Sequence, residues 1–450
     1  MKKRFIFILC GLFLCAGTIA ATNYNVLQQG AVGDGKTLNT KSLQSAIDAL
    51  HAKGGGQLYF PAGRYLTGSL QLKSNVTLYL EKEAVLLGST SPYDYPGFST
   101  EKELKVNNDH FDQALIYAEG AENIGITGEG CIDGQGRELA LTIDSLHVEN
   151  RAYWNNDGIN ISDCKEVRIS NCFINSADDG ICLKSHNRGA WNDRVSISNC
   201  HIISSASAIK FGTESLGGFK NVTIDNIRVK DTFRSAIAIE SVDGAEIENV
   251  QVSNVHAVNT GNAIFIRLGH RSGEQPGYLR NVTIKDVYVE VPFGRPDINY
   301  DLRGPAVTFF HNPFPSSISG IPGHDIENVK LENIEIVCPG RATRGMAYMS
   351  VSRLKDVPEN EKGYPEFTMF EELPSWGFYV RHVKGIQMHN IKLRLQEDDF
   401  RPAFVFDRVS DVRLSDISLP ENKKAGQVVL RQTNLQSADN VVKEYVREVE

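Results

Sequence analysis

The chain has 450 residues, with 47 Lys and Arg against 55 Asp and Glu for a formal net charge of −8, and 41% of its residues are apolar. No basic stripe offsets that acidity, which excludes nucleic acid as a natural partner. Beyond the N-terminal segment no stretch approaches the roughly 20 apolar residues of a membrane-spanning helix, which argues against membrane insertion.

Lys2, Lys3 and Arg4 precede an apolar run from Phe5 to Cys15 and then small residues ending at Ala20 and Ala21. This order predicts a secretory signal over 1–21 and an exported mature protein, periplasmic or extracellular, over 22–450. Leu9 and Leu14, rather than small residues, stand before Cys10 and Cys15, which disfavours a lipid anchor. Loss of the three positive charges takes the net charge from −8 to −11. Six cysteines remain: Cys131, Cys164, Cys172, Cys182, Cys200 and Cys338. Export permits disulfides, but Cys172 and Cys200 hold equivalent places in a repeat, where a thiol serves as a small buried apolar group.

Gly30 to Thr37 has the spacing of a phosphate-binding loop. The helix that follows starts at Thr40 and not at the lysine, so a nucleotide site is not expected. From Thr40 to Lys53 an apolar face at Leu43, Ala46, Ile47 and Leu50, with Thr40 as N-cap and Gly54 to Gly56 as terminator, predicts one amphipathic helix. It is expected to cap one end of an otherwise open sheet stack. Alternating stretches at 57–60, 69–72 and 76–80 then read as strands.

The body of the chain repeats apolar-x-apolar-x-(Asn or Asp)-apolar, beginning at Val167, Val195, Val222, Ala245, Val282, Val329, Ile386 and Val412. The fifth positions are Asn171, Asn199, Asn226, Asn249, Asp286, Asn333, Asn390 and Asp416, with minimum spacings in the twenties. Such units suit the coils of a single-stranded, right-handed parallel β-helix, in which each coil buries a few side chains and stacking completes the core. Asn at a fixed corner tolerates a left-handed turn. The fold class is therefore all-β, one catalytic solenoid domain over 22–450, with long insertions at about 288–328 and 335–385. Pro, Gly and aromatic residues in those insertions predict ordered cleft walls.

Two neighbouring coils carry Asn155-Asn156-Asp157-Gly158 and Asp178-Asp179-Gly180 just before apolar runs. Asp157 and the Asp178–Asp179 pair are thus expected at equivalent edges of adjacent coils, about 5 Å apart. Glycoside hydrolysis needs such carboxylates, one to protonate the leaving oxygen and another to activate water or attack carbon. Crowding raises at least one pKa and supplies the proton donor. The competing reading is that these strings are only turn residues.

With these motifs, and with Tyr24 to Val26, Gly30 to Gly35 and Phe60 to Gly63 near the start, the chain resembles glycoside hydrolase family 28, the polygalacturonases and their relatives. The resemblance runs from about Tyr24 to Asp416. It implies an inverting hydrolase of a galacturonate-containing bond in pectin, with Asp178 as general acid and Asp157 and Asp179 positioning water. A pectic poly- or oligosaccharide is the expected partner, and a monomer without cofactor or metal is expected. Asn155 matches the first residue of the family's Asn-Thr-Asp string.

Two departures bear on substrate. Ala206-Ser207-Ala208 stands where the family carries Gly-His-Gly, and Ala238-Ile239-Glu240 where it carries Arg-Ile-Lys. Glu240 would repel a carboxylate that a guanidinium clamps, so a rhamnogalacturonan-type or other non-homogalacturonan substrate is expected, and the long insertions, by closing one end of a cleft, favour cutting from a chain end. Lys184, Lys210 and Arg267 are candidate uronate ligands, Glu214 and Glu240 candidate hydroxyl acceptors, and Trp154 a candidate sugar-stacking ring; each is equally a residue type that strands and turns carry. No His has metal-ligand spacing. A β-helix lyase, or a non-catalytic polysaccharide-binding β-helix, is the alternative function.

Overall fold

The computed structural model describes residues 22–89, 91, 94–95, 114–134, 147–151, 155–294, 296, 313–345, 349–423 and 425–450. Its strands pair in parallel from one coil to the next, through the long strands Trp191–Ser204, Gly218–Ser241, Glu246–Leu268, Tyr278–Glu290, Ile326–Cys338, Phe378–Leu395 and Phe404–Ser418. This is the right-handed parallel β-helix expected from the repeat.

Val195, Val222, Val250, Val282, Val329, Ile386 and Val412 stack in register as one buried column. Each such side chain contributes roughly 1.5–3 kcal/mol on leaving water, but only because the next coil covers it. All eight fifth-position residues have φ between 52° and 58°, the left-handed corner for which Asn and Asp are suited. One unit was assigned out of phase. Asn249 donates to Asn221 at 3.1 Å and so belongs to a second corner of the coil. Asn254, φ 53°, is the true counterpart of Asn226, because Ser253 pairs with Asp225.

The helix runs Thr40–Ala52 and buries Leu43, Ala46, Ile47 and Leu50 against the first coils. Its N-cap is Asn39, not Thr40. The Thr40 hydroxyl instead accepts from the Gly68 N–H at 2.7 Å, tying the helix to the coil beside it. Gly30 to Thr37 forms a turn in which Asp34 accepts from the Lys36 and Thr37 N–H groups, both at 2.8 Å. Cys131, Cys164, Cys172, Cys182, Cys200 and Cys338 are buried and free.

Part of the second insertion is described and packs on the solenoid. Leu354, Val357, Phe367, Phe370 and Leu373 pack on the apolar members of an outward column that runs Ala238, Phe265, Ser317, Tyr379, Val405 and Val429. Lys210 pairs with Ala238 at the head of this column. The insertion therefore ends where the acidic residues begin.

Candidate active site

Asp157 precedes the strand Ile159–Ser162, and Asp178 and Asp179 precede Ile181–Ser185. Gly158 N–H donates to the Asp179 carbonyl at 2.8 Å, and Gly180 N–H to the Ser207 carbonyl at 2.8 Å. Asp157, Asp179 and Ser207 thus form one column, and Asp178 sits one place earlier beside Asn156. The glycines are required by coil spacing: a Cβ on Gly158 would lie 2.4 Å from Ile174 Cγ2, and one on Gly180 2.4 Å from Ile202 Cγ2. The Asp-Gly strings therefore serve close coil packing, which sets the acids side by side.

One oxygen from each of Asp157, Asp178 and Asp179 lies within 4.8 Å of the others. Lys184 Nζ stands 3.4 Å from Asp157 Oδ2. Lys210 Nζ stands 3.5 Å from both Asp179 Oδ2 and Glu240 Oε2. Asp179 Oδ1 accepts from the Ser207 N–H at 3.0 Å, and Asp178 Oδ1 from the Asp179 N–H at 2.9 Å. Burial pushes Asp157 up to about 6, Lys184 opposes it, and Asp178 and Asp179 add to it. Asp157 therefore keeps its proton in mildly acidic solution. Burial likewise pushes Glu240 up to about 7 against the pull of Lys210. Burial favours loss of the proton from Lys184 and from Lys210, but the facing carboxylates outweigh it and both stay cationic.

Of the sequence candidates, the structure gathers Asp157, Asp178, Asp179, Lys184, Lys210 and Glu240. Glu214 lies at the margin, near enough to Lys184 and Arg271 to act on both electrostatically. Asn155 is an exposed residue in a left-handed turn, φ 55°, two places before Asp157. Trp154 lies outside the described residues.

Two expectations are corrected. Arg267 is 0% exposed and pairs in register with Glu240, not with Lys210. Its guanidinium donates to Ser319 Oγ at 3.0 Å, the Gly320 carbonyl at 3.1 Å and the Glu359 and Asn360 carbonyls at 2.8 and 3.2 Å, and lies over Phe370. It fastens the insertion to the coils and presents nothing to a sugar. Glu240 is 1% exposed and faces Lys210, so it does not project into the cleft as a bare repelling charge.

Five contributors, Arg234, Arg271, Asp243, Tyr364 and Glu366, are not among the sequence candidates. Arg234 Nη2 meets Glu366 Oε2 at 3.0 Å. Arg271 makes a two-pronged contact with Asp243 at 2.9 and 2.7 Å. Tyr364, 45% exposed, has Lys210, Arg234 and Arg271 at 5.3, 5.5 and 5.6 Å from its ring centroid. Arg234 was legible: one 28-residue coil beyond Ala206 lands on it, and its N–H donates to the Ala206 carbonyl at 2.8 Å. Tyr364 and Glu366 come from the insertion and carry no repeat signal.

A parallel β-helix that sets three carboxylates side by side offers the groups that glycoside hydrolysis requires. A family model described as rhamnogalacturonase A/epimerase, pectate lyase-like, matches residues 23–228. A probable polygalacturonase of Vitis vinifera is 29% identical over 336 residues, 63% of this chain and 62% of that protein. An exo-poly-alpha-D-galacturonosidase of Dickeya chrysanthemi is 28% identical over 247 residues, 53% of this chain and 37% of that protein. The match therefore spans less than two thirds of either relative. The structure of a hyperthermoactive exopolygalacturonase from Thermotoga maritima superposes with a TM-score of 0.52 at 20% identity, covering 84% of this chain and 92% of that one, which supports the fold. By these likenesses the chain is similar to the polygalacturonase-like, pectin-acting β-helix proteins.

Proposed function

We propose that the protein hydrolyses a galacturonate-containing glycosidic bond in pectin, with inversion, after export from the cell. The observation that carries this is the convergence of three carboxylates from two adjacent coils beside two ammonium groups. Asp178 is the general acid. Asp157 and Asp179 hold the attacking water, for which an oxygen separation of up to 4.8 Å leaves room, since a water accepted at about 2.8 Å by each carboxylate spans roughly that gap. Such a gap also lies near that of double-displacement enzymes, so the anomer of the first product, followed by NMR, decides between inversion and retention.

The insertion that brings Tyr364 to the cleft supports attack at a chain end, read as release of the smallest product from the first turnovers. Preference for a rhamnogalacturonan-type chain is supported by the description of the matching family model, while burial of Glu240 removes the repulsion first invoked for it. Defined pectic oligosaccharides of both kinds separate these substrates. A Ca²⁺-assisted lyase is disfavoured because Lys184 and Lys210 already compensate two of the three carboxylates. Products with new reducing ends and no conjugated-alkene absorbance support hydrolysis; the reverse result rejects it.

A further inference from the structure

Arg234 stands in the same column as Asp178, two coils on, with Ala206 between them. Asp178 N–H donates to the Asn156 carbonyl at 3.1 Å and Arg234 N–H to the Ala206 carbonyl at 2.8 Å, which fixes the order Asn156, Asp178, Ala206, Arg234 along the stack. Coils repeat at about 4.8 Å, so roughly 10 Å separates the backbones of the acid and the arginine. The side chain between them, Ala206, is a single methyl and carries no charge to answer either one.

The guanidinium is only partly used. Its side chain is 11% exposed, and Nη2 meets Glu366. Nε and Nη1 are buried and have no hydrogen-bond partner among the described residues. Buried donors without acceptors are disfavoured, and a guanidinium is the side chain best matched to a carboxylate. Lys184, Lys210 and Arg271 also face carboxylates of the protein, Asp157, Asp179 with Glu240, and Asp243, but none of them keeps a buried nitrogen without a hydrogen-bond partner among the described residues. The Tyr364 ring beside Arg234 is 45% exposed, so its rotation opens a path to the unused nitrogens.

We propose that Arg234 is a specificity-determining residue that receives, through Nε and Nη1, the carboxylate of the galacturonate unit adjoining the bond Asp178 protonates, with Tyr364 as the movable cover. This rests on the hydrolase reading above. It places the acid-sugar recognition at a position that matches no cation of the family's Arg-Ile-Lys string, and accounts for how the site tolerates Glu240 there.

The test uses the full chain and two pectic oligosaccharides, one with its galacturonate carboxyls free and one with them reduced to primary alcohols. The wild type should favour the free acid in kcat/KM by on the order of 10²-fold, as buried charged recognition allows. In Arg234→Gln that preference ratio should fall at least ~10-fold, and Arg234→Lys should restore part of it. Circular dichroism of each variant reports folding. The ratio is insensitive to a general loss of active enzyme, so a variant that folds poorly still reports. An unchanged ratio in Arg234→Gln, or a wild type indifferent to the carboxyl, overturns the proposal while leaving the hydrolase reading standing. Failure of the wild type to hydrolyse either substrate overturns both.

Discussion

Replacing Asp157 by Asn should make the protein more stable and less active, and the stability gain should depend on pH. The folded-state pKa of Asp157 is pushed from 3.8 to about 6 by burial and by Asp178 and Asp179, net of the attraction of Lys184. A shift of about two units corresponds to about 3 kcal/mol. The folded state binds this proton more tightly than the unfolded chain, so the wild type is unburdened below about pH 3.8 and loses stability as pH rises through about 6. Asn mimics the protonated form. Asp157→Asn should therefore match the wild type near pH 3.5 and exceed it by about 2–3 kcal/mol near pH 8, the lower figure allowing for titration shared across the trio. Denaturant unfolding of both proteins at the two pH values measures this, and turnover should fall at least ~10²-fold in parallel. A stability difference that does not change with pH, or a variant less stable than the wild type near pH 8, would refute the claim that the three acids are held together against their mutual repulsion.

Asp178→Asn should lower kcat by at least ~10²-fold with folding and oligosaccharide binding largely intact, as loss of a general acid predicts; calorimetric binding and initial rates check both halves. The pH profile of kcat/KM should rise on its acid side toward about pH 6, where Asp157 becomes ionised and can accept from the attacking water; activity already full well below that value contradicts the role given to Asp157. Gly180→Ala should cost about 1–3 kcal/mol, because its Cβ meets Ile202 and the Ala208 carbonyl in a packed core. Arg267→Ala should free the carbonyls of Glu359 and Asn360, destabilise the protein by about 3 kcal/mol or more, and raise hydrogen exchange across residues 349–377 before the coils open.

Much of the solenoid was readable because a coil is nearly a local object. Its strand alternation, its Asn corner and its length of 27 or 28 residues lie within one stretch of chain, and repetition multiplies the signal. The phase error at Ala245 shows the limit. A coil has more than one Asn corner, and only pairing in register tells Asn249 from Asn254. The acid trio was legible for the same reason, since Asp157 and Asp179 are one short coil apart and stacking places them together.

The charges around the trio were not. Lys210, Glu240 and Arg267 look alike on the page, as single polar residues in apolar strands. What separates them is the insertion laid over the column below Lys210: Arg267 falls beneath it, and Lys210 stays at its edge. Tyr364 reaches Lys210 across 154 positions of sequence, and Arg267 holds Glu359 across 92. Composition and periodicity alone determined an acidic chain, a stacked parallel solenoid and three neighbouring aspartates, because those properties depend on residues within a coil of one another. The partners that set each charge's work were decided by tertiary packing, because a cation's free energy in a buried cleft depends on which carboxylate or carbonyl arrives beside it, and those arrive from distant coils.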